Sequence, residues 1–237
     1  MTVVPALADL PQLERHTLSG TAYAALADLL ASGRLAPGDR LSLRRSAAAF
    51  GVSVMPVREA VSRLVAEGVL EVAPARIIRV PIMSAAAFRA LAETRIAVEG
   101  IAAARAAERR TAEDLGAIRR AEAAFRTEAG TVQPDLARAV QLNRDLHFAI
   151  YGACGLAPLL EIIARLWLKA GPVINLDLRA CPERLRQGFA LRRHAEALAA
   201  IEARDSPAAA AAIAADIREA ADFIVSRGDL HDTIGEE

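Results

Sequence analysis

Seven arginines, Arg40, Arg44, Arg45, Arg58, Arg63, Arg76 and Arg79, fall between residues 40 and 80 against Glu59, Glu67 and Glu71, a net charge of +4 on a chain whose 29 basic and 29 acidic residues otherwise balance. A guanidinium presents a planar fork of N–H donors that suits phosphate oxygens and guanine edges, so this segment is a local footprint for nucleic acid. The chain as a whole, at net charge zero, offers no such footprint. Asn143 and His147 are four residues apart, which on a helix places an amide and an imidazole on one face, one turn apart. The run HAEAL at 194–198 carries a single histidine and lacks the second one of an HExxH zinc pair. No nucleophile with an adjacent base and no glycine-rich phosphate loop is present, which leaves a metal-dependent helical enzyme as a weak alternative. Cys154 and Cys181 have neither CxxC spacing nor a secreted disulfide framework, and they read as small buried apolar residues in a reducing compartment.

The elements that must position these groups are helical. Hydrophobic residues make up 54% of the 237 residues and aromatics only 4%, with abundant alanine, which favours closely packed helices over a sheet sandwich. Tyr23, Leu26, Leu29 and Leu30 mark a first helix that ends at Ser32. Ser46 to Phe50 reads as a short helix, Gly51-Val52-Ser53 as a turn, and Met55 to Glu67 as a second helix, with Pro56 in its first turn and Ser53 placed to cap it. Val57, Ala60, Val61, Leu64 and Val65 give that helix one apolar face, so Arg58 and Arg63 point elsewhere. Gly68 stops it, and residues 69–72 and 77–80 look like two short strands joined by 73–76. The pattern is a winged helix-turn-helix, whose second helix can enter the DNA major groove.

The run from Gly51 to Glu71, GVSVMPVREAVSRLVAEGVLE, resembles the signature of the GntR family of bacterial transcription regulators, and the resemblance extends over about residues 17–80. It implies that Arg44, Arg45, Ser53, Met55, Arg58, Arg63 and Arg76 form the DNA-binding set, with Arg76 at the tip of the wing. It also implies double-stranded DNA with an inverted repeat as the partner of a homodimer, acting as a repressor relieved by ligand. Three positions depart from the family pattern: Val54 stands where an arginine is usual, Ile77 where the wing has glycine, and Leu43, Arg45 and Ser46 where an acidic residue and leucine open the first helix.

Residues 80–84 form a short linker in which Pro81 stops the wing and Ser84 can cap the next helix. From there the periodicity is helical to residue 228: 85–109, 112–128 opened by a Thr111-x-x-Asp114 box, 134–152, 157–170, an irregular stretch bracketed by Pro172 and Pro182, then 183–204 and a last helix from Ser206 to Gly228. The expected fold is mainly α, a winged helix-turn-helix domain at 15–81 with a small hairpin wing, followed at 84–228 by an all-α antiparallel bundle.

ETRIAVEGIAAARAAER at 93–109 and NRDLHFAI at 143–150 resemble the all-helical FCD ligand-binding domain of the FadR subgroup of that family. In metal-binding members the corresponding positions carry one aspartate and three histidines. Here His147 and His194 agree, Asn143 replaces the aspartate and Asp216 replaces the last histidine, so the formal charge is kept while the carboxylate moves to another helix. Such a set suits zinc, nickel or manganese. The same resemblance makes Arg95, Asn143, His147 and His194 an effector site for a small organic acid, although Arg95 also has Glu99 four residues on as a partner, and Asp216 could face Arg218 or Arg192. His16 and His231 read as surface residues. A purely architectural DNA binder would leave about 140 residues of effector domain without a role. The N-terminal residues lack the basic start and apolar run of a secretory signal, and no apolar window is long enough to cross a membrane, so a cytoplasmic protein is expected.

Overall fold

The computed structural model describes residues 18–180, 185, 189–228 and 230, the side chains of 175–180 excepted. Cys181, Pro182, His16 and His231 lie outside the described residues. Two hydrophobic cores follow the two segments of the sequence.

The N-terminal core is built by α1 (Leu18–Ala31), α2 (Leu43–Phe50) and α3 (Val54–Ala66), with β1 (Arg40–Leu41), β2 (Glu71–Ala73) and β3 (Ile77–Arg79) forming an antiparallel sheet in the order β1-β3-β2. The expected hairpin thus gains a third strand. Two residues are too short to show a period, and β1 exists because Arg40 and Leu41 pair with Arg79 and Ile78. α2 starts three residues before its expected first residue, Ser46, because Ser42 caps it and accepts a hydrogen bond from the Arg45 N–H at 3.4 Å. Gly51 then closes the helix at φ 66°, a conformation that costs glycine little, and turns the chain into α3. Val57, Ala60, Val61 and Leu64 are the buried face of α3, as their spacing requires. Replacing Leu64, fully buried, by alanine would cost roughly 2–5 kcal/mol.

The C-terminal bundle comprises α4 (Ala85–Arg109), α5 (Ala112–Ala129), α6 (Leu136–Gly152), α7 (Ala157–Ala180), α8 (Phe189–Ala203) and α9 (Ser206–Ser226). Ser84 caps α4, and Thr111 with Asp114 forms the expected capping box on α5. Asp135 and Asp205 cap α6 and α9. Alanine does what its abundance implied: Ala102, Ala103, Ala106 and Ala107 on α4 and Ala209 on α9 are all at 0% exposure, which lets these two backbones approach closely. The expected break at Pro172 is absent. Pro172 lies inside α7, where it removes one backbone hydrogen bond, and burial of Leu168, Ala170 and Val173 on either side holds the helix together.

α7 joins the two cores. Its Leu168 is buried in the N-terminal core, while its neighbour Trp167 belongs to the bundle core. Gly171 passes so close to the end of α1 that a Cβ there would sit 2.5 Å from the Leu30 carbonyl oxygen. An ion pair at 3.0 Å between Asp28 of α1 and Arg144 of α6 spans the same junction.

Candidate DNA face and candidate metal centre

On α3 the residues opposite the buried face are Met55, Arg58, Glu59 and Ser62, all exposed. Arg44 and Arg45 on α2 and Arg76 at the wing tip are exposed as well, and none of these arginines, nor Arg58, has a carboxylate partner among the described residues. Ser53 stands at the start of α3 in extended backbone, but its side chain makes no capping bond, contrary to the expectation from its position. Arg63 is placed differently from the rest of the set. Its guanidinium stacks on the Tyr23 ring at 3.9 Å and its Nε pairs with Glu67 at 3.1 Å, on the flank of α3 that faces α1. Arg79 is likewise tied to Glu71 at 2.6 Å. At the wing tip Ala75 and Arg76 both adopt positive φ, 58° and 59°, whereas Ile77, at the position where the family pattern has glycine, is in extended backbone at φ −77°. The tip therefore holds Arg76 in a strained backbone.

In the bundle, His147 on α6, His194 on α8 and Asp216 on α9 converge, with one ligand atom from each lying within 4.8 Å of the others. Both histidines are 1% exposed. The His147 Nε2 is 3.3 Å from one Asp216 oxygen and the His194 Nε2 is 3.6 Å from the other. Donors at zinc-like bond lengths around a tetrahedral ion are about 3.4 Å apart, so these separations fit. Neither ring nitrogen of His194 has a hydrogen-bond partner among the described residues. Burial pushes its pKa down to about 4, against the opposing pull of Asp216, so the ring is neutral. A neutral imidazole buried with both nitrogens idle is costly, and a cation at its lone pair removes much of that cost.

A chain of buried hydrogen bonds sets the orientation of His147. Arg95 on α4 holds Glu99 through its Nε at 2.6 Å and Nη2 at 3.2 Å. The Tyr151 hydroxyl donates to Glu99 at 2.5 Å, and it lies 2.7 Å from His147 Nδ1. Burial, together with the Glu99 carboxylate, pushes the Tyr151 pKa well above its ordinary range, so it keeps its one proton. That proton goes to Glu99, so the hydroxyl must accept from Nδ1–H of His147. The remaining Nε2 then faces Asp216, and a carboxylate oxygen opposite it calls for a positive charge between them. A proton on His147 would meet that need but would leave His194 unpartnered, whereas a metal ion serves both rings.

Arg95 is thus committed to Glu99, the second of the two partners its sequence position allowed, and stacks over the Trp167 ring at 4.6 Å. It does not line the pocket beside the metal-ligating set. That pocket, about 490 Å³ of empty space with its mouth, is walled by Phe125, Asn143, Ile174, Leu185, Phe189, Ala190, Asp216, Glu219 and Ala220. Asn143 and Asp216 therefore both line it. Glu219 is held by Arg193, whose Nε is 3.1 Å away, and the hydrogen bonds from Arg193 keep its carboxyl below the usual range. Sequence reasoning missed Tyr151, although it lies four residues beyond His147 and so on the same helix face, while Glu99 was expected only as a partner of Arg95.

Two family profiles match the chain: the FCD domain over residues 90–219 and the bacterial regulatory proteins of the gntR family over residues 18–80. The chain belongs to the GntR family and carries an FCD domain. GntR proteins of this kind are transcription regulators, not enzymes, which removes the enzyme alternative. The HTH-type transcriptional regulator McbR of Escherichia coli (strain K12) is 32% identical over 177 residues, 74% of this chain and 78% of McbR. The solved structure of E. coli McbR/YncC superposes with a TM-score of 0.82 at 27% identity, covering 90% of this chain and 100% of that one. A GntR transcriptional regulator from Rhodococcus sp. RHA1 shares the fold at a TM-score of 0.71 and 21% identity, covering 88% and 97%. This GntR regulator has no helix among its described residues long and apolar enough to cross a membrane.

Proposed function

We propose that this regulator is a homodimeric repressor that binds an inverted-repeat operator in the cytoplasm and is released by a small organic acid coordinated to a divalent metal in the bundle. The observation that carries the metal-assisted part of this reading is the pair of idle buried nitrogens on His194, facing His147 and Asp216. His147, His194 and Asp216 would supply three protein ligands, with Asn143 at the pocket wall as a fourth, and zinc, nickel or manganese suits the set. Two neutral imidazoles and one carboxylate around a divalent ion leave a net charge of +1 in a buried place. A carboxylate or hydroxy acid entering from the pocket cancels it, which is why the effector is an acid although Arg95 does not reach the pocket. Arg95 acts instead at the far end of the chain that orients His147.

The test is the metal content of protein purified without chelator, measured by plasma mass spectrometry for the parent and for His147→Ala. About one divalent ion per protomer, lost in the variant, is expected, followed by metal-dependent binding of di- and hydroxycarboxylic acids in calorimetry. Metal-free protein that gains no ion on titration would overturn the metal site and leave the DNA-binding assignment intact.

A further inference from the structure

The exposed face of α3 is centred on a methionine. At 100° per residue, Met55 stands opposite the middle of the arc formed by Val57, Ala60, Val61 and Leu64, with Arg58 on one side, Glu59 on the other and Ser62 two turns along. Met55 is 58% exposed and packs into neither hydrophobic core, whereas its neighbour Val54 packs against the N-terminal one. The start of this helix, the part that meets base edges in helix-turn-helix docking, therefore offers a flexible thioether chain and no guanidinium until Arg58. An unbranched apolar side chain at that place has no hydrogen bond to give or accept of any strength. The apolar feature it can meet on the major-groove floor is the 5-methyl group of thymine.

We infer that Met55 is a specificity-determining residue that reads the 5-methyl group of a thymine in each operator half-site. The inference rests on the regulator reading and adds to it the base that the centre of the recognition face selects. Arg58 and Glu59, flanking Met55, place guanine and cytosine readers on either side of that thymine. Burying one methyl group against the thioether corresponds to a preference of roughly three- to tenfold per half-site over the same base without its methyl.

The experiment uses the full chain and duplex DNA selected from a random pool. Each thymine of the selected half-site is replaced in turn by deoxyuridine, which deletes only the methyl, and affinity is read by fluorescence anisotropy. The expected result is one thymine per half-site whose replacement weakens the parent protein three- to tenfold. Met55→Ala should bind the thymine and uracil duplexes alike, and Met55→Leu, still apolar, should keep a preference for thymine. Because Met55 is exposed, both variants should fold as the parent does. Indifference of the parent to every replacement, or a Met55→Ala variant as sensitive as the parent, overturns the inference while leaving specific DNA binding in place. Failure to enrich any duplex overturns both.

Discussion

Tyr151 is the residue on which the candidate metal centre turns, although it touches no metal. Its hydroxyl donates its hydrogen bond to Glu99 and so obliges His147 to donate from Nδ1, leaving Nε2 directed at Asp216. Tyr151→Phe removes that constraint while Arg95 still satisfies Glu99, so the fold should persist. Outer partners of metal-bound histidines are commonly worth 10- to 100-fold in affinity, and a loss of that size is expected in competition against a chelator dye. Unchanged affinity would mean that packing alone orients the ring. His194 makes a second prediction, for metal-stripped protein. Its folded pKa of about 4 lies below the ordinary 6.5, so the unfolded chain takes up a proton near pH 6.5 that the native chain refuses until about pH 4. Stability is therefore full above 6.5 and falls as pH drops towards 4, by about 3 kcal/mol from this group. Urea melts of the parent and His194→Gln should differ in their pH slope within that window, and parallel slopes would show that the ring is not held neutral.

Among elements, α7 carries the largest departure from what the sequence allows one to read. The winged helix-turn-helix was legible because its signals are local: an apolar period on α3 and glycines at the turns that follow α2 and α3. β1 was not, since its strand character comes from pairing with β3 across some forty residues. Nor was the continuity of α7, because Pro172 is a local breaker outweighed by burial of the residues around it. The candidate site was legible only in its ligating types; the hydrogen bonds that orient them run between α4 and α6, which sequence spacing within one helix cannot join. Gly171 shows the same point in reverse, an unremarkable glycine in sequence that the structure needs for a backbone contact. Gly171→Ala would thrust a methyl to 2.5 Å from the Leu30 carbonyl oxygen, and backbone cannot swing aside as a side chain can. The expected cost is roughly 1–3 kcal/mol, together with separation of α1 from α7. Calorimetry should then show the N-terminal domain melting at lower temperature and apart from the bundle. A single unshifted transition would mean that the junction is looser than its geometry implies.

At the scale of the whole molecule, one residue separates the two functions. The Trp167 ring lies 5.2 Å from that of His147 and beneath the Arg95 guanidinium, and the next residue, Leu168, is 7% exposed in the DNA-binding domain's core. A second link leaves from the pocket wall, where Arg144, adjacent to Asn143, pairs with Asp28. A shift of His147 on ligation thus has a short packed route to α1, which packs on α3. If that route couples the sites, effector and operator change each other's affinity by one and the same factor, of the order of 5- to 150-fold for couplings of this kind. Leu168→Ala should shrink that factor in both directions equally, measured as effector affinity with and without operator and operator affinity with and without effector. Metal affinity in the absence of DNA should change little, because Leu168 contributes to the other core. A variant in which the two measured factors stay large and equal would show that coupling bypasses Leu168; the double replacement Arg144→Ala with Asp28→Ala would then abolish it if it runs through that ion pair, and leave it intact if it runs through the α4 linker.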